Sequence, residues 1–304
     1  CSRRVWENIV ESAGKMSFRA AEKELKKRKL INKSYETIRR ITHRSGQLIK
    51  LFSNAFHSYI EAKSQELVFP CVALFYAMWD GVCVNTTEGW REVKIAVVMD
   101  ALKRLKVFKA GFWGWEEFGE QVREISALMG VKDSVQVVCI GDGASWVRGI
   151  QERFFPAGRF ILDFYHALEN IGRCSREVYG EGTDKGRQWY DGCKEKLYLY
   201  GGERLCRYLR RWKGQLDEGD KEKGEKLLNY LEPRVAYMDY PRYRTEGLEI
   251  GSGDVESACK NVIGARLKRG KRWKLENAEA MLNLLCVQHS CPGVRLSKLC
   301  GKLS

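Results

Sequence analysis

The stretch Val135-Gln136-Val137-Val138-Cys139-Ile140-Gly141-Asp142-Gly143 sets the class of the fold. It opens on a short β-branched run and stops at Gly-Asp-Gly, the pattern of a central parallel strand buried on both faces. Before it, Phe118, Val122, Ile125 and Met129 recur at helical spacing. Trp146, Ile150 and Phe154 do so after it, and the chain then passes Pro156 into a strand at Phe160–Leu162 that ends in Asp163. Farther upstream, Cys71–Trp79 is a continuous apolar run that ends in Asp80-Gly81. Glu92–Met99 alternates, with Val93, Ile95, Val97 and Met99 on one side, and Leu105–Lys109 supplies a third strand. Three strands in succession predict a meander.

The order strand, strand, strand, helix, strand, helix, strand is that of an RNase H-like sheet before its last helix. The expected class is α/β: an RNase H-like mixed sheet with flanking helices, interrupted by an all-helical insertion. Residues from about 165 to 237 read as helical, with clusters such as Leu197, Tyr198, Tyr200 and Leu205, Tyr208, Leu209, Trp212. After Tyr240-Pro241-Arg242-Tyr243, the Gly251-Ser252-Gly253 loop opens a helix containing Glu256. A further helix holds Leu275, Ala278, Met281, Leu282 and Leu285. The expected division is 68–164 for the first part of the core, 165–245 for the insertion, 246–290 for the closing helices and 291–304 for a tail without periodicity.

Residues 1–62 read as a basic helical segment with helix-turn-helix punctuation. Ser17 can cap a helix from Phe18 to about Lys29, with Phe18, Ala21 and Leu25 on one face. After Ile31-Asn32-Lys33, Ser34 can cap a second, short helix that stops near Gly46. Its Tyr35, Arg39, Arg40 and Arg44 suit phosphate and base-edge contacts in duplex DNA. An ordinary helical hairpin with a solvated basic face stands as the alternative.

Composition narrows the partner. Among 304 residues, 53 Lys+Arg against 39 Asp+Glu leave a formal charge of +14, which favours a polyanion. The longest uncharged apolar run, Leu67–Trp79, is too short to cross a bilayer, so no membrane partner is expected. Eleven cysteines, odd in number and without a CxxC pair, speak against a zinc site and structural disulfides. With no signal peptide or lipidation motif, the cytoplasm is the expected location, with nucleoid association following from DNA binding. The start at Cys1 reads as a fragment lacking its natural N-terminal part.

Three carboxylates stand where chemistry can use them: Asp80 at the expected end of the first strand, Asp142 at the end of the fourth, and Glu256 on the late helix. Carboxyl ends of central strands converge on one rim of such a sheet. Two divalent cations about 4 Å apart need several carboxylate oxygens there. The spacings are 62 and 114 residues, the second lengthened by the helical insertion.

Asp80-Gly81, Trp90-Arg91-Glu92-Val93-Lys94, Gly141-Asp142-Gly143-Ala144-Ser145-Trp146, Leu162-Asp163-Phe164-Tyr165-His166, Ile250-Gly251-Ser252-Gly253-Asp254-Val255-Glu256-Ser257 and Arg266-Leu267-Lys268 followed by Arg272-Trp273 occur in one order. Together, over roughly residues 70 to 290, they resemble the DDE transposases of bacterial ISKra-type insertion sequences, distant relatives of the Mutator-like enzymes. The resemblance implies an RNase H-like core and an enzyme that cuts insertion-sequence ends and joins the 3′-hydroxyl to target DNA. It implies two Mg²⁺ ions, for which Mn²⁺ can substitute, held by Asp80, Asp142 and Glu256. The partners implied are double-stranded DNA of transposon end and target, with a homo-oligomer in the DNA complex. Related enzymes carry Cys-x-x-His after the second Asp, where this chain has Asp163-x-x-His166, so Asp163 could bind metal, position DNA or be structural. The family's Gly-Met-Arg-Trp is here Gly270-Lys271-Arg272-Trp273.

The cations Arg266, Lys268, Arg269, Lys271, Arg272 and Lys274 around Trp273 are the expected DNA contacts near the Glu256 helix. A second cluster, Arg207, Arg210, Arg211 and Lys213, flanks Trp212 in the insertion. Trp212 and Trp189 are expected in the insertion's core, with stacking on an unpaired base as the alternative. Two further readings compete with the transposase: a catalytically silent DNA-binding derivative, and an RNase H-like nuclease without strand transfer.

Overall fold

The computed structural model describes residues 2–51, 53–67, 74–131, 136–268 and 272–292. In chain order the elements are α1 (Arg3–Lys15), α2 (Phe18–Lys27), α3 (Tyr35–Leu51), α4 (Ser53–Leu67), β1 (Leu74–Thr86), β2 (Gly89–Asp100), β3 (Lys106–Gly111), α5 (Trp115–Leu128), β4 (Gln136–Gly141), α6 (Ser145–Phe154) and β5 (Arg159–Leu162). Then come α7 (Phe164–Tyr179), α8 (Asp184–Lys213), α9 (Glu218–Leu231), a 3₁₀ turn (Glu232–Tyr237), α10 (Tyr240–Thr245), α11 (Gly253–Ala258), a π turn (Cys259–Gly264), α12 (Ala265–Leu267) and α13 (Leu275–Ser290). The strands form a mixed five-stranded sheet in the order β3-β2-β1-β4-β5, with helices flanking it. Among the described residues no helix is long and apolar enough to cross a membrane.

The chain divides into two compact units. The first comprises residues 1–138, 149–158 and 253–304, the second 139–148 and 159–252. In the first unit, β1–β2–β3 is the expected antiparallel meander, paired from Phe75↔Asp100 to Thr86↔Gly89 and from Lys94↔Gly111 to Met99↔Lys106. Trp79, Met78, Ile95, Val97 and Met99 from the strands are buried, as are Phe118, Val122, Ile125 and Met129 at helical spacing.

Two expected boundaries need correction. β1 does not end at Asp80-Gly81 but continues to Thr86, because Val82 and Val84 keep alternating inward while Cys83 is exposed. The hairpin turns at Thr87-Glu88, where the Thr86 hydroxyl donates to Gly89 O (2.7 Å) and accepts from Glu88 N (3.2 Å). Likewise α3 does not stop at Gly46. The glycine lies mid-helix because a Cβ there would overlap the Ala280 carbonyl of α13, so it serves a close helix–helix approach rather than a C-cap. At the other end of the pair, the Ser17 hydroxyl accepts from Ala20 N (3.2 Å) as the expected cap of α2, and the Glu22 carboxylate accepts from Tyr35 N (3.1 Å) at the start of α3.

The second unit is largely helical. Leu197, Leu205, Leu209, Leu227 and Leu231 are buried in it. α8 breaks at Gly201 (φ 75°), which lets Gly202 N donate to Met238 O (2.9 Å). Trp189 and Trp212 are both buried, with ring centroids 4.4 Å apart, and Trp212 Nε1 donates to the Tyr179 hydroxyl (2.8 Å). They are core residues, and burial excludes the alternative of base stacking.

Candidate metal centre and nucleic-acid interface

In the first unit, Asp80 sits at the middle of β1, opposite Ile95. Half-buried, it accepts from Gly81 N at Oδ1 (2.6 Å) and from the Cys259 thiol at Oδ2 (3.4 Å). Glu256, also half-buried, is on α11, three residues before Cys259 and so on the same helical face. α11 is anchored at its first turn, where Lys103 and Lys106 from the β2–β3 corner pair with Asp254, the former at 2.8 Å. Burial works against the ionised Asp254, and these two ammonium groups outweigh it and hold the carboxyl below its usual range. The π turn that follows inserts extra helical rotation, a feature often found where a helix serves a site. Burial, then Asp80 and to a smaller degree Glu256, push the Cys259 thiol well above its ordinary range. The thiol therefore stays protonated beside the carboxylates.

In the second unit, Asp142 follows β4, and its Oδ1 accepts from Ala144 N (2.9 Å). Gly143 has φ 75°, a left-handed conformation that glycine adopts without strain. Residues of α9 and the 3₁₀ turn grip this loop: the Tyr230 hydroxyl donates to Asp142 O (3.1 Å), and Arg234 donates through Nε (3.2 Å) and Nη2 (3.0 Å) to Gly143 O. Burial raises the Tyr230 phenol to about 12, with the Asp142 and Asp163 charges adding to it against Arg234, so it remains a donor. Sequence reasoning misses Tyr230, Arg234 and Cys259, since no local pattern marks a residue that acts through a distant loop.

Asp163 is fully buried and caps α7. Oδ1 accepts from Tyr165 N (2.6 Å) and His166 N (3.0 Å), while Oδ2 accepts from Ser252 N (2.6 Å) and from the Ser252 hydroxyl. About four lone-pair sites exist on a carboxylate, and these bonds occupy them. Asp163 thereby ties the start of α7 to the Gly251-Ser252 loop. His166 lies in the first turn of α7 and approaches Glu169 (3.3 Å). No protein-family model matches the chain, and no curated protein matches it.

The expected DNA-binding residues separate into groups. Arg39, Arg40, Arg44, Arg272 and Lys274 are exposed, and Tyr35 is half-buried. All six line one open trough of about 1120 Å³ in the first unit. Lys268 is exposed outside it; Arg269 and Lys271 lie outside the described residues. Arg266 is a correction. It is only 3% exposed, donates from Nε to Ala13 O (2.8 Å), and stacks over Phe18 (4.2 Å) and Trp273 (5.2 Å). Its neighbour Leu267 is fully buried too, and the turn that carries both faces inward, so the guanidinium cannot reach a phosphate. In the second cluster, Arg207 pairs with Glu203 (3.0 Å), Arg210 with Glu232 (2.7 Å), and Lys213 with Glu225.

Proposed function

We infer that the protein is a DDE transposase of RNase H-like fold, cutting insertion-sequence ends and joining the freed 3′-hydroxyl to target DNA. The observation that carries this reading is the convergence of Asp80 and Glu256, far apart in sequence, around Cys259 in one unit. The sheet order supports it, as does the ordered set of motifs. The donor set fits a hard cation: Asp80, Asp142 and Glu256 offer carboxylate oxygens, which suit Mg²⁺, and the Cys259 thiol beside Asp80 is protonated.

When bound, two Mg²⁺ ions supply Lewis-acid stabilisation of the phosphoryl group in flight. Asp80 and Glu256 stand on a strand and a helix fixed by the hairpin and by Asp254. Tyr230 and Arg234 restrain the backbone that carries Asp142. Asp163 caps α7, the helix that carries His166 on its first turn.

The test is Asp142→Asn, with labelled end DNA and a supercoiled target in Mg²⁺. Cleavage and joining should fall by more than the ~10–100-fold typical of losing an outer-shell partner, with folding and DNA binding intact. Unchanged cleavage would sink the assignment. Binding alone by the wild type supports the silent derivative, and hydrolysis without joining supports the nuclease.

A further inference from the structure

We propose that the trough between α3 and the Arg272–Lys274 segment seats one sugar-phosphate strand of duplex DNA, so that the N-terminal helices and the C-terminal string form one binding surface. The proposal rests on the transposase reading only for its choice of DNA. Arg39, Arg40 and Arg44 form one wall, Arg272 and Lys274 the other. None of these five has an ion-pair partner among the described residues, and Glu36 is the only acid among the lining residues. The cluster at 207–213 differs, since its charges are largely spent on carboxylates. Exposed cations without ion-pair partners along one concavity suit phosphate oxygens, which the guanidinium groups among them can bind bidentately.

The floor strengthens the field. Phe18, His43 and Trp273 pack edge to face and tilted at 5.4 to 6.5 Å, and the buried Arg266 charge lies against Phe18 and Trp273. One Arg266 amino group, Nη2, has no partner among the described residues. A cation behind low-dielectric walls focuses positive potential into the trough.

Both walls are anchored to the rest of the unit. Trp273 N donates to Asn85 O (3.0 Å), Thr87 N donates to Trp273 O (2.8 Å), and Thr86 bridges Trp273 as in a parallel strand. α3 is packed along α13 and α1. A helix that reads the major groove must stand proud of the surface. The cationic face of α3 instead borders a hollow, which accepts a ridge, and the ridges of duplex DNA are its phosphate strands. Such contacts position DNA without reading its sequence.

The test measures binding of the full chain to two unrelated duplexes of about 20 base pairs, in EDTA, over a salt series. Each phosphate that is no longer neutralised should lower the slope of log affinity on log salt by about 0.9. R39Q/R40Q and R272Q/K274Q should therefore each flatten it by about 1–2 on both duplexes. R207Q/R210Q should leave it unchanged. A wild-type slope in either wall variant, an equal flattening in the R207Q/R210Q control, or tighter binding to duplex RNA would each overturn the proposal. Because EDTA removes the metal, failure of the carboxylate assignment leaves this result standing, and failure here leaves the Asp142→Asn test standing.

Discussion

The fold opposes ionisation of His43. Burial foremost, and then the Arg39 and Arg266 charges, lower the imidazole pKa from 6.5 to about 4. Between those two values the unfolded chain binds a proton that the native chain refuses. Stability from this group is complete above about pH 6.5 and declines as pH falls towards about 4. Allowing for the imidazole's partial exposure, the decline amounts to about 1–2 kcal/mol. Urea unfolding of wild type and His43→Gln at pH 7.5 and pH 5 checks this: the variant should show the smaller decrease, and equal decreases would refute it. Single residues are legible in the sequence where they act locally. Ser17 as a cap can be read from its neighbours. Arg266 cannot, because a run of cations does not reveal which member faces inward; that depends on the turn after the π segment and on Phe18, which lies more than two hundred residues away in the chain.

Among the elements, α3 and α13 pack most intimately at Gly46. Replacing Gly46 by Ala improves helix propensity by about 1 kcal/mol, but the new methyl must displace the Ala280 backbone, and overpacking costs about 1–3 kcal/mol. Backbone yields less readily than a flexible side chain, so Gly46→Ala should lose about 1–2 kcal/mol in denaturant unfolding. A stabilised variant would show that the helices have room to separate. The same close approach explains why the end of α3 is hard to place from sequence: a glycine that ends a helix and one that admits a neighbour look alike in one dimension. The end of β1 is obscured for a related reason. Asp80-Gly81 has turn chemistry, yet twelve consecutive pairs with β2 keep it extended. α5, β4, β5 and α13 are legible because their apolar periodicity and burial agree.

For the whole molecule, the division into two units carries its own thermodynamic consequence. The second unit has a self-contained core in which Trp189 packs on Trp212 and Tyr179, with Leu197, Leu205 and Leu209 from the same long helix buried. The first unit is built around the meander, α5 and α13. Such separate cores open sub-globally, each with its own free energy. Trp189→Ala should remove about 3–5 kcal/mol from the second unit's opening free energy. Hydrogen exchange in α7, α8 and α9 should then accelerate by roughly a hundredfold or more, while β1–β3 and α13 keep wild-type protection. Uniform acceleration through both units would refute separate opening. With the destabilisation confined to the second unit, its grip on the Asp142 loop through Tyr230 and Arg234 would weaken, and the trough in the first unit would retain its affinity for DNA.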